Sequence, residues 1–413
     1  MADRSGVMLR LRVLWRLTPW WARVLLVFAA SRVVTSAVML VFAGVEGRAN
    51  GTATPDFFTF ASNWDGQWYY RIALIGYPTE LPVDADGHVT ENAWAFLPLY
   101  PMLLSVFVRI GLPFPVVAVV VSLLAGAVAA LLFERLLREA GLSPGTALFG
   151  VVLLCTAPLS PLFQVAYAEA LGLALLFGAL LLVQRQRFVA VIPVVVLLAF
   201  TRPSALAFAL FLLLYLVVRI VRARRDARAH PLPAGEFAGI VVAGLVSAAA
   251  GFAWPAIAWA VTGVPSAYLD TELAWRAGYV GFGHLVPFQG WMQGLAFWLR
   301  FAGVPDAAAG ALGVVLVLVL AAAFAAFLFS PWARRLGVEL RLWLAAYAVY
   351  LFAVFFPQSS TWRLLMPLAP ALGAFAVPRS RLWRAGLVVL GVVAQLLWVD
   401  AVWWRGPGDW SPP

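Results

Sequence analysis

The feature that most constrains this chain is the recurrence, along its whole length, of apolar stretches long enough to cross about 30 Å of hydrocarbon. Inside a bilayer every backbone N–H and C=O must find its partner within the protein, so such stretches fold as helices packed into a bundle. The period-two alternation of a transmembrane β-barrel is missing. Composition agrees: 63% of the 413 residues are hydrophobic and only 12% are charged, with a mean hydropathy of +0.91. A soluble domain of this size is excluded. The expected fold is all-α, a polytopic transmembrane helical bundle forming a single integral membrane domain over residues 1–413.

Hydropathy places about eleven spans, near residues 20–43, 113–133, 145–160, 166–183, 188–201, 203–221, 237–262, 306–329, 338–356, 364–377 and 385–404. The segments 188–201 and 364–377 are short for a span, so their ends must be shielded by the bundle or the bilayer thinned. The basic N-terminal segment runs straight into the first apolar stretch with no small-residue cleavage site, which reads as a first span and not a signal peptide.

Charge orients the bundle. Every basic residue is an arginine, because the chain has no lysine. With the N-terminus inside, Arg4, Arg10, Arg12, Arg16, Arg135, Arg138, Arg185, Arg222 and Arg384 fall on the cytoplasmic side, as the positive-inside rule requires. Topology, not a nucleic-acid partner, therefore explains the basic balance. Cys155 is the only cysteine, so neither an intramolecular disulfide nor a cysteine metal cluster can form.

Two outward segments, 44–112 and 263–305, are too long for turns and are rich in aromatic, proline and polar residues. Function is expected there. Within them WAFLPLYPMLLSVFVRIGL and WMQGLAFWLRF read as helices lying along the interface. The most informative stretch is WDGQWYYRIALIGYP, residues 64–78, an acidic turn followed by a short helix. Asp65 between Trp64 and Trp68, with Gly66 permitting a tight backbone, suits a sugar site: aromatic faces pack against the ring and the carboxylate takes a hydroxyl proton. The plainer reading is a helix N-cap. Arg202, Arg276 and Arg363 stand on the outward side, against the general bias, and Arg32 lies within the first span, where a charge must be paired or face a polar cavity. Glu169 beside Tyr167 is an outward carboxylate suited to an ion pair with one of these arginines. Asp56 reads as a solvated loop acid. Asp84, Asp86 and His88 lack the further oxygen ligands of a calcium site, and His230 and His284 have no partners at ligand spacing, so no metal site is expected.

WDGQWYYRIALIGYP resembles the first-loop signature of the PIG-V family, the second mannosyltransferase of GPI-anchor assembly, and its bacterial homologues. Further similar segments follow in order: Ser31 and Arg32, AFLPLYP at 95–101, PLFQVAYAEA at 161–170, TRP at 201–203 and SSTWRLLMPLAP at 359–370. The resemblance implies a class C glycosyltransferase (GT-C fold) using a polyprenyl-phosphate sugar as donor, with Asp65 as general base of an inverting transfer. The departing phosphate then needs cationic contacts: Arg202 and Arg363 first, with Arg32 and Arg276 behind them. Trp64, Trp68, Tyr69, Tyr167 and Glu169 would contact sugar or acceptor. The acceptor is a glycolipid, polysaccharide or protein at the outward face, of the plasma membrane in a bacterium or the endoplasmic reticulum in a eukaryote. No cofactor beyond the lipid-linked donor is implied. The competing reading is a multi-span transporter or lipid flippase, which predicts paired halves and helices interrupted near the midplane.

Overall fold

A computed structural model describes residues 13–15 and 17–409. The expected cytoplasmic positions Arg4, Arg10, Arg12 and Arg16 lie outside the described residues. Helix α1 (Trp20–Ala49) leads into one-turn α2 (Phe57–Phe60), then α3 (Asp65–Ile75) and α4 (Leu99–Arg109). Next come α5 (Phe114–Glu139), α6 (Pro144–Thr156), α7 (Glu169–Gln184), α8 (Phe188–Ala199), α9 (Ala205–Arg225) and α10 (Ala234–Thr262). The second outward segment holds α11 (Ala267–Val280) and α12 (Gln289–Phe301). After it follow α13 (Asp306–Phe329), one-turn α14 (Pro331–Arg334), α15 (Gly337–Val354), the short α16 (Thr361–Leu364) and α17 (Leu372–Phe375), and α18 (Arg381–Trp398).

Among the described residues, seven helices are long and apolar enough to cross a membrane: α1, α5, α9, α10, α13, α15 and α18 with its continuation to Trp403. The chain is thus an integral membrane helical bundle, and it differs from the expected eleven full spans in four places. Helices α6, α7 and α8 have 13, 16 and 12 residues, which at about 1.5 Å per residue falls short of the hydrocarbon thickness. Segment 364–377 breaks into a 3₁₀ turn over Met366–Ala371 and α17. Proline explains two of these cases. A residue preceding proline avoids the helical basin, so Pro158 ends α6 early, and Pro367 and Pro370 fall within the broken segment; Pro193 lies inside α8, which runs through it. Both interface segments are helical, as α4 and α12.

Helix α5 packs against α7 and α6, and α9 against α10 and α15. Arginine-rich ends meet at one pole of the bundle. There the Arg135 guanidinium lies 3.7 Å from the centre of the Trp20 ring, Arg185 pairs with Glu139 at 2.7 Å, and Arg384 covers Phe149. The start of α7, at Glu169, points to the other pole, where the outward segments gather.

Arg32 is buried in α1 and acts as a tie. Its guanidinium donates to the Cys155 carbonyl at 3.2 Å, to the Ser160 carbonyl at 2.5 Å and to the Ser160 hydroxyl, while Phe28 and Phe163 cover its faces. Carbonyl dipoles satisfy the charge that a midspan arginine carries. Replacing it (Arg32→Met) strands these carbonyls and is expected to remove about 2 kcal/mol. Thermal unfolding in detergent checks this, and an unchanged midpoint contradicts the structural role.

Candidate functional site

The acidic turn is held in place from the end of α1. Glu46 accepts hydrogen bonds from the Asn63 amide at 2.9 Å and from the Arg405 backbone N–H at 2.8 Å. Trp64 then adopts a φ of 57°, a left-handed backbone that costs a bulky residue about 1–3 kcal/mol. Its indole N–H donates to the Trp403 carbonyl at 2.7 Å and Arg405 stacks over its ring, which holds the turn. The reversal makes Asp65 the first residue of α3 and points it into the protein. Asp65 makes no capping bond; the N-cap position is Trp64, without a side-chain cap. The capping acid of this loop is Asp56, which accepts from the Phe58 and Thr59 N–H groups at the start of α2. Gly66 allows close approach, since a Cβ there would lie 3.2 Å from the Cβ of Ala166.

Asp65, only 4% exposed, forms an ion pair with Arg363 Nη1. The same nitrogen lies 3.7 Å from Glu169 Oε1, and Arg202 Nη1 lies 3.3 Å from that oxygen. Four charges therefore alternate in a row, acid, arginine, acid, arginine, with both acids buried and both arginines partly so. Tyr167 accepts the Asp65 N–H on its hydroxyl at 3.2 Å and supports the Arg363 guanidinium on its ring face. Helix α15 fixes the Arg363 turn through Tyr347, donating to the Leu364 carbonyl, and Trp343, donating to the Pro367 carbonyl. Arg202 can lie flat over α7 because residue 172 is glycine, where a Cβ would come within 2.8 Å of the Arg202 side chain. Burial pushes the Asp65 carboxyl above the usual carboxylate range; Arg363 and, further off, Arg202 oppose this, and the Glu169 charge adds to it.

A cavity of about 470 Å³ opens beside this row, within the size range of small-molecule sites. Asp65, Tyr69, Arg202 and Arg363 line one side, with Gln358 and Ser360 beside them. Tyr268, Glu272, Trp275 and Arg276 of α11 also line it, and Leu206 of α9 with Gly251, Phe252 and Pro255 of α10 add apolar lining. Phe252 is 63% exposed on the outside of α10, so the apolar side reaches the lipid-facing surface. The space is amphipathic, charged at one end and hydrocarbon-like along one flank.

The structure thus gathers Asp65, Tyr69, Arg202, Arg276 and Arg363 on one cavity and leaves other expected residues off its wall. Trp64 faces Trp403 and Arg405. Trp68 stacks on Phe96 at 5.6 Å and meets Trp275 edge-on, so neither indole brackets Asp65; the left-handed turn sends them to different neighbours. Tyr167 and Glu169 stand behind Arg363, with Glu169 bordering a smaller cleft beside Arg202 and Tyr347. Arg32 is off the wall for the reason given above. Arg276 is on the wall but tethered, its Nη2 donating to the Val354 carbonyl at 2.5 Å. Glu272, Gln358 and Trp275 are site residues that sequence reasoning missed. The one signal was Glu272 four residues before Arg276 in a helical outward segment, which does not say which face turns inward. Asp84, Asp86 and His88 form an exposed turn in which Asp84 accepts the Asp86 and His88 N–H groups.

Fold and cavity define an integral membrane protein with a buried acid–arginine row above a lipid-accessible groove. Neither a scan against protein-family models nor a search of curated proteins finds a match to this chain.

Glu169 is 3% exposed and is the carboxylate between two guanidiniums. Neutralising it (Glu169→Gln) leaves Arg202 and Arg363 repelling each other and is expected to lower stability by about 3 kcal/mol. A thermal midpoint equal to wild type would show that the row does not support the fold.

Proposed function

We propose that this protein is a class C glycosyltransferase similar to the PIG-V family, moving a mannosyl or related residue from a polyprenyl-phosphate donor to an acceptor hydroxyl at the outward face of the membrane. One observation carries the reading: a single cavity joins a buried carboxylate, two arginines and an apolar flank open toward lipid. That combination matches a substrate with a hydrocarbon tail, a phosphate and a sugar.

The donor phosphate would sit between Arg202 and Arg363, exchanging the Asp65 contact of Arg363 for a charge-assisted contact with phosphate. Its prenyl chain would run along Leu206, Phe252 and Pro255 toward the bilayer. Asp65, released from Arg363, accepts the proton of the acceptor hydroxyl as that oxygen bonds to the anomeric carbon. The bond from that carbon to the phosphate oxygen breaks with its electron pair, and the arginines stabilise the charge that develops there. Attack from the face opposite the phosphate inverts the anomeric centre. Arg276, held by Val354 and facing Glu272, is not assigned to the phosphate. A lipid flippase would share the apolar flank but has no use for a buried base, and the charged residues gather at one pole instead of pairing across two halves. The outward orientation, in the plasma membrane or the endoplasmic reticulum, belongs to this reading.

Membranes given radiolabelled polyprenyl-phosphate mannose and extracted envelope lipids are expected to transfer label. Asp65→Asn should reduce the rate by about 10²–10⁴-fold, the range for loss of a general base, with the protein still folded. Transfer at the wild-type rate removes Asp65 from the role. The pH profile supplies a second check. The base works ionised, so activity falls as pH falls, and burial of Asp65 places the midpoint of that acid limb above the ordinary value of about 4. A limb centred at or below the ordinary value contradicts the assignment.

A further inference from the structure

The arginine-rich pole carries a second charged surface, far from the cavity, where α13 ends and α18 begins. Setting aside Arg363 of the other pole, residues 330–399 hold Arg334, Arg335, Arg341, Arg379, Arg381 and Arg384 against a single acid, Glu339. Two of these arginines are fasteners. Arg341 Nε donates to the Leu328 carbonyl at 2.7 Å, and Arg384 donates to the Pro378 and Ala376 carbonyls at 3.1 and 3.3 Å. The other four, Arg334, Arg335, Arg379 and Arg381, are exposed. Among the described residues none of them is in an ion pair. Glu139 and Glu236, acids of the same pole, are taken by Arg185 and Arg219.

The four gather around a pair of indoles. Helix α14 carries Trp332 just ahead of Arg334 and Arg335, α18 carries Trp383 just after Arg379 and Arg381, and the two rings lie 6.2 Å apart. The Trp383 indole N–H donates to the Phe375 carbonyl at 2.9 Å, and the Phe375 ring stacks on Phe327 of α13 at 5.6 Å. The two helix ends are thus tied side by side. Bare apolar side chains adjoin the charges: Leu382 is 87% exposed and Phe329 65%. Further from the pole the exposed run continues through Leu318 and Val319 on α13 and Val389, Leu390 and Val393 on α18. Indoles and arginines at the end of a lipid-facing helix mark headgroup depth.

Charge and apolar surface together narrow the partner. The guanidinium fork matches phosphate oxygens, and unopposed positive charge favours a net anion over a zwitterion, whose ammonium it repels. The exposed flanks of α13 and α18 suit acyl chains. An acidic protein or a free phosphate would engage the arginines and leave Leu382 and Phe329 bare. We propose that the adjoining ends of α13 and α18 form a binding site for an anionic phospholipid. Arg334, Arg335, Arg379 and Arg381 hold its phosphate, and its chains lie along the two helices. The site stands at the pole away from the acid–arginine row and does not depend on the transferase reading. It also differs from a general excess of basic residues on one side of the membrane. The other exposed arginine run, Arg224, Arg225 and Arg228, follows α9 in a stretch, residues 205–253, that contains no tryptophan.

The test is native mass spectrometry of the purified full-length protein in detergent, titrated with dioleoyl phosphatidylglycerol, dioleoyl phosphatidylcholine or the chain-free headgroup glycerophosphoglycerol. Wild type is expected to bind phosphatidylglycerol at least about tenfold more tightly than phosphatidylcholine, and the chain-free headgroup more weakly than either its lipid form or the salt-free control would require of charge alone. Removing three of the cations together (Arg334→Gln, Arg335→Gln, Arg381→Gln) should weaken phosphatidylglycerol binding by about 100-fold, as the loss of three arginine contacts to an anionic headgroup implies. The pair Arg379→Gln with Arg381→Gln should weaken it by about tenfold or more and covers the case in which the triple variant does not fold. Removing the same amount of charge at Arg224, Arg225 and Arg228 should leave the affinity within about twofold of wild type. Equal binding of the two lipids, unchanged affinity in the variants, or an equal loss from both arginine triples overturns the site. Binding of glycerophosphoglycerol as tightly as the intact lipid also overturns it, because the patch is then a surface for soluble anions.

Discussion

The buried row Asp65, Arg363, Glu169, Arg202 is the interaction on which the rest of this structure depends. An isolated charge taken out of water is destabilising by several kcal/mol, and a pair is tolerated only where geometry and partners are good. Here two acids and two arginines alternate, so each charge has an opposite neighbour and none stands alone. The four residues come from four separate segments: the start of α3, the turn carrying α16, the start of α7 and the link between α8 and α9. Assembling the row therefore requires most of the bundle to be in place. The short helices make sense in this light, because α6 and α8 stop early and α7 starts late at the pole where the row is built.

On the proposed function, the same row holds the catalytic base in check. In the structure Asp65 is paired with Arg363, and a carboxylate so engaged is a poor base. A phosphate competing for that guanidinium would free the acid at the moment the donor is bound. Tyr167 fits this exchange, since it supports Arg363 on its ring and holds the Asp65 backbone through its hydroxyl, keeping both ends in position when their mutual contact is lost. On the proposed function, donor loading and activation of the base are then one event. Water reaching the site without donor meets a neutralised carboxylate.

Much of the architecture is legible in the sequence because apolar length is a one-dimensional property. The stretches at 20–43, 113–133, 203–221 and 306–329 are helices α1, α5, α9 and α13. Lengths fail where proline acts locally, as at Pro158 after α6 and at Pro367 and Pro370 in the segment before α17, since hydropathy averages over such breaks. At the cavity, Asp65, Arg202 and Arg363 stand out by residue type and by their place against the charge bias. Trp64 and Trp68 mislead for a three-dimensional reason: a positive φ at Trp64 turns its ring toward Trp403 and the α3 helix carries Trp68 toward Phe96. Arg32 looks like a ligand contact in the sequence, yet its partners are carbonyls some 120 positions away that no local pattern reveals. Glu272 and Gln358 carry no signal of their own because only the packing of α11 against the end of α15 brings them to one space.

The most direct measurement is an experimental structure of the protein bound to a non-transferable polyprenyl-phosphate sugar analogue. The account predicts the phosphate in hydrogen-bonding contact with both Arg202 and Arg363, the Asp65 carboxylate parted from Arg363 and facing the anomeric carbon, and the prenyl chain leaving past Phe252. A lipid phosphate seated elsewhere, with the Asp65–Arg363 pair intact, would contradict it.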